Sequence, residues 1–149
     1  MLTATHERPA ASHWMGLTRE DQHAATLHHY SQTHRNAVQR LYTVANKHLG
    51  TSGGNTCAKL LLGLYNGERF PFDLTDLRLL DEGTLTAAMV VVHMDAAHTY
   101  CEVHVLLDAI LGLPLGQSTG HMFEHWAYDL RLKGACKKAQ LPSLKGMPQ

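Results

Sequence analysis

The sequence predicts an all-α fold, a compact single domain of five or six helices, and three observations carry that expectation. Apolar residues recur at three- and four-residue spacings, the period of one helix face. Capping residues open these stretches, and glycines close them at helical lengths. The Asn66-Gly67 pair, which could turn a hairpin, has no alternating flanks to pair. At 149 residues the chain suits one domain with its own core.

Taken in order, residues 1–16 carry no periodicity and are expected to form a flexible lead. Thr18 caps a helix with Glu20 and Asp21 in its first turn, where the dipole favours acids. Leu27, Tyr30, Ala37, Leu41, Val44 and Leu49 continue that face, as one long helix or as two with Thr33 as a second cap, to Gly50. Thr51–Asn55 reads as a loop, and Asn55 or Thr56 caps a helix through Leu60, Leu61, Leu64 and Tyr65. Asn66-Gly67 is expected to close it with left-handed residues. Pro71 biases Phe70 to an extended backbone, so Arg69–Phe72 crosses the surface as a short strap.

Asp73 and Asp76 are alternative caps for a short helix ending near Leu80. Asp81 or Thr84 starts the next, whose body TAAMVVVHM is apolar all round and is therefore expected to be the central, fully buried helix; its three valines leave a core strand as the alternative. Thr99 and Glu102 fit a capping box for a helix ending at Gly112. After the loop 116–120, a last helix carries Met122, Phe123, Trp126, Ala127 and Leu130 on one stripe. The helical domain so defined spans 17–133, and 134–149 reads as a basic flexible tail.

Composition narrows the function classes. Lys+Arg and Asp+Glu are equal at 13 each, which removes any overall field drawing the chain to nucleic acid or anionic lipid. No apolar run reaches membrane-span length, and the first residues lack a signal-peptide core. Three scattered cysteines without a CxxC fit a reduced, cytoplasmic protein. Neither GxSxG, P-loop nor GxGxxG occurs, and Cys57 and Cys101 sit in apolar context without cations to activate them. The expectation is a non-enzymatic protein that uses no cofactor.

Twelve histidines nonetheless invite a metal reading. His121 and His125, at i,i+4 beside Glu124, form half of a zinc site, but a site needs three or four converging ligands. A His-ligated zinc enzyme is the third reading. Arg35, Arg40 and Lys47, with Lys133, Lys137, Lys138 and Lys145, supply the cations for the second, a nucleic-acid-binding regulator. The first reading is protein recognition, because interfaces draw their energy from a few aromatic and arginine anchors. Tyr65, Arg69, Phe70, Phe72, Asp73 and Arg78 gather that chemistry within one stretch, and Arg35 and Arg40 extend it along the first long helix.

That stretch, LLLGLYNGERFPFDLTDLRLLD, with Met94-Asp95 and Glu102–His104 beyond it, resembles a group of uncharacterised small proteins carried on plasmids and integrative elements of proteobacteria. The resemblance covers about residues 38–132 and brings no catalytic residues with it. By analogy with the genetic company such proteins keep, it implies an antagonist of host defence, of the anti-CRISPR kind, binding a host protein or ribonucleoprotein complex.

Overall fold

The computed structural model describes residues 16–148, so the first fifteen residues of the expected lead lie outside it. Its described residues form six α-helices and two short 3₁₀ segments, with no strand among them. The helices are α1 (Arg19–His28), α2 (Gln32–Lys47), α3 (Ser52–Tyr65), α4 (Glu82–Ala97), α5 (Val103–Leu111) and α6 (Thr119–Asp129). The 3₁₀ segments are Leu74–Leu79 and Lys138–Gln140. No helix of the described residues is long and apolar enough to cross a membrane.

The first helical stretch is two helices. Thr18 caps α1 through a reciprocal bond with Asp21. The break comes at Tyr30, and Ser31, not Thr33, caps α2 by accepting from the His34 amide at 3.2 Å. Tyr30 and Arg35 hold the corner: Tyr30 is buried, and Arg35 Nε donates to its carbonyl at 3.1 Å.

The glycine-rich loop is the first turn of α3, with Thr51 as its cap. Gly54 explains why a helix accepts glycines here: a Cβ on it would lie 1.9 Å from the His48 carbonyl oxygen, so α3 can start only where no side chain intervenes. Asn55, expected as a cap, instead accepts from the Gly50 amide at 2.7 Å. Gly50 itself is left-handed, at φ 99°.

The centre of the domain is α3, not α4. It contacts α2, α4, α5, α6 and the 74–79 segment, and buries Cys57, Ala58, Leu60, Leu61 and Leu62. α4 packs chiefly on α2 through Ala87, Ala88, Val91 and Met94, while Met89 on its other side is 52% exposed. Composition gave α4 an apolar circumference, but its place at the edge covers only one side. It is a helix throughout its valines and starts at the expected Asp81, which accepts from the Thr84 amide at 2.8 Å. Arg40 reaches the same corner, 3.4 Å from Thr84 Oγ1 and 3.5 Å from Asp81.

Thr99 does not cap α5; its hydroxyl bonds the Asp95 carbonyl, and the helix starts four residues later, behind Glu102. Gly112 ends α5 in the left-handed region as expected. Asp108, buried near the end of α5, sets the position of α6. It accepts from the Thr119 amide and hydroxyl, both at 2.7 Å, and from Ser118 Oγ at 3.0 Å. The stripe on α6 then buries Met122, Phe123, Trp126 and Ala127, with Phe123 stacked on Trp126.

The segment expected to be a flexible tail is laid against the body as far as residue 148. Ala135 and Leu144 pack on the core, Met147 is buried, and His125 Nε2 lies 2.7 Å from the Pro142 carbonyl oxygen. Without periodicity it cannot form a helix face, but isolated apolar residues anchor it one at a time.

Candidate binding surface

α3 ends at Tyr65 and the chain doubles back through Asn66 and Gly67. The left-handed closure expected there is absent: Asn66 is extended, at φ −157°. Its carbonyl accepts from the Phe70 amide at 2.9 Å and its side chain from the Arg69 amide at 3.2 Å. These two bonds shape the turn without a positive φ. Gly63, one turn back on α3, lets the strap lie close, since a Cβ there would meet the Phe70 carbonyl at 3.3 Å.

The first half of the strap closes on a single carboxylate. Arg69 donates to both oxygens of Glu124 on α6, at 2.6 and 2.9 Å, in the forked geometry that makes arginine–carboxylate pairs strong. The Tyr65 hydroxyl donates to the same carboxylate at 2.8 Å. Arg69 Nε donates to the Gly134 carbonyl at 3.1 Å, and a Cβ on Gly134 would fall 1.9 Å from the Arg69 carbonyl. The hydrogen bonds from Arg69 hold the Glu124 carboxyl below its ordinary range against the opposing effect of burial, helped by Tyr65. Burial and the Glu124 contact push the Tyr65 phenol up to about 12. Phe70 is 3% exposed, with the Arg69 guanidinium 4.6 Å from its ring centre.

The second half faces water. Asp73 caps the 3₁₀ turn by accepting from the Thr75 amide and hydroxyl at 2.9 and 2.8 Å, and the Thr75 hydrogen bonds lower its carboxyl pKa. Lys59 on α3 meets Asp76 at 3.4 Å, a cross-tie between helix and turn. No residue of Leu74–Leu79 is buried. Leu74 is 75% and Leu79 52% exposed, Arg78 is exposed, and Phe72 and Leu77 are half-buried. Beside this surface, Lys59, Arg69, Phe70, Pro71, Leu132 and Lys133 line a cleft of about 200 Å³.

The eight residues expected at a contact surface therefore divide. Tyr65, Arg69 and Phe70 brace the turn from inside, and Arg35 and Arg40 serve helix corners on the far elements. Phe72 is half-buried against the core, and Asp73 and Arg78 remain at the surface, joined by Leu74 and Leu79, which sequence reasoning passed over. The signal was present: four leucines in seven residues exceed what so short a turn can bury. Glu124 was noted only as a neighbour of His121 and His125. His125 serves the C-terminal segment, and among the described residues no group of three or more His, Cys, Asp or Glu is placed to hold a metal ion. Cys57 is buried, and burial pushes its thiol up to about 11.

One family model matches the chain, over residues 35–114, and its description is a family of unknown function, DUF7673. The match takes in α2 from its second turn on, α3, the strap, the 3₁₀ turn, α4 and α5, and stops before Glu124. No curated protein matches, and no solved structure matches.

Proposed function

The chain belongs to the DUF7673 family of unknown function, and on that premise we propose that it is a non-enzymatic protein acting by stoichiometric binding to a host protein or ribonucleoprotein complex. The observation that carries this reading is the 74–79 segment. It holds two well-exposed leucines beside an arginine on a turn fixed by its own cap and by Lys59. Apolar side chains held out on a pinned support resemble an interface core awaiting its counterpart. The setting suggested by the resemblance to plasmid-borne proteins is antagonism of a bacterial defence complex.

The test is capture from bacterial lysate, with the retained material analysed for protein and RNA. The parent chain should hold a discrete partner at a fixed ratio through a high-salt wash. Leu74→Asp/Leu79→Asp should release it while the chain stays folded. Retention of nucleic acid with no protein, or retention that the double variant leaves intact, would sink the reading.

A second reading, nucleic-acid binding, has one observation in its favour. Residues 130–146 carry Arg131, Lys133, Lys137, Lys138 and Lys145, all exposed, and no acid. A gel shift whose affinity falls steeply with salt, and falls further on removing these lysines, would support it.

A further inference from the structure

α4 asks for more cover than the fold provides. From Gly83 to Met94 it has no charged residue, and a helix apolar around its circumference is ordinarily covered around its circumference. Here α2 covers one side. The other side leaves Met89 half-exposed, with Leu85 and Val90 only partly buried. It borders a cleft of about 640 Å³, lined along α4 by Glu82, Leu85, Thr86, Met89, Val90 and His93 and edged by Thr33 and His34 of α2.

We propose that this face of α4 is the interface between two copies of the chain, with the two α4 helices antiparallel across a two-fold axis. The six α4 residues of the cleft are related about a midpoint between Ala87 and Ala88: 82 with 93, 85 with 90, 86 with 89. A two-fold axis there sets each opposite its counterpart, which is what a self-complementary interface requires. Leu85 meets Val90 of the second copy, and Met89 meets Thr86. Methionine's unbranched side chain suits it to filling the second copy's cleft.

The ends choose the direction. In this arrangement the Glu82 carboxylate accepts a hydrogen bond from the His93 imidazole of the second copy, at both ends. A parallel pair would instead bring the two Glu82 carboxylates together, a like-charge contact that disfavours association. The occupant is thus a second copy, because the face supplies its own apolar match and its own hydrogen-bond complement.

Sedimentation velocity on the full chain over a concentration series tests this. The expected result is a reversible dimer. Met89→Glu should give a species of single-chain mass with unchanged far-UV circular dichroism, since Met89 is already half in water. Glu82→Lys should weaken association about three- to tenfold, the scale of losing two exposed hydrogen bonds. Glu82→Lys/His93→Glu should restore most of that loss. A single-chain mass at every concentration would overturn the proposal. So would a dimer that survives Met89→Glu, a double variant no tighter than Glu82→Lys, or a different protein seated on this face. None of these outcomes bears on Leu74 and Leu79, so this proposal and the binding reading fail separately.

Discussion

The stretch from Tyr65 to Leu79 contains two surfaces built from similar residues and put to opposite uses. Before Pro71, an arginine, a tyrosine and a phenylalanine turn inward, the first two onto Glu124, 55 residues from Arg69 in the chain. After Pro71, an arginine and two leucines stand exposed on a six-residue turn whose capping bonds are local. The first half spends its polar atoms on holding the strap to α6; the second keeps its side chains available. Aromatic and arginine content alone does not identify an interface, since the same content makes a brace wherever a buried carboxylate waits for it.

The contrast can be broken most severely at Glu124. Replacing it with Ala strands Arg69 and Tyr65 together, and the expected loss is about 2–4 kcal/mol of unfolding free energy in urea melts. Arg69→Ala should cost a similar amount, and the double variant should lose far less than the sum of the two. The same pair gives a pH signature. The Glu124 carboxyl titrates lower in the folded chain than its ordinary value of 4.5, so its contribution is present above that value and lost as pH falls through the folded-state value. The stability gap between the parent and Glu124→Gln should therefore narrow as pH drops below 4.5.

Gly134→Ala comes next. The added methyl collides with the Arg69 backbone, and overpacking of this kind costs about 1–3 kcal/mol, again read from urea melts. Tyr65→Phe removes a single hydrogen bond to a carboxylate that Arg69 still satisfies, so about 1 kcal/mol is expected. The outer half should respond least. Leu74→Ser/Leu79→Ser is expected to change stability by no more than about 0.5 kcal/mol, as for surface sites without special contacts. A loss above 1–2 kcal/mol there would mean that the two leucines belong to the fold, and the distinction between the halves would dissolve.

Local chemistry was legible where neighbours in sequence settle it. Thr18, Asp73 and Asp81 cap the segments they were expected to cap, and Gly112 ends α5, because each acts within a few residues of itself. Competition misled the same reasoning elsewhere. Thr99 turns back to Asp95 before it can cap α5, and Gly53 and Gly54, which read as a loop, lie in a helix, Gly54 leaving the room that the His48 carbonyl needs.

The all-α class, the helix stripes and the short turn after Pro71 follow from the sequence by itself, since periodicity and capping are properties of adjacent residues. Only the tertiary structure could decide that Glu124 serves Arg69, that the C-terminal segment is pinned along the body, and that apolar α4 sits at the edge while α3 takes the centre. Each of those outcomes turns on which distant groups share a small volume. Hydrophobic burial, having no direction of its own, leaves that choice to the packing of the whole chain.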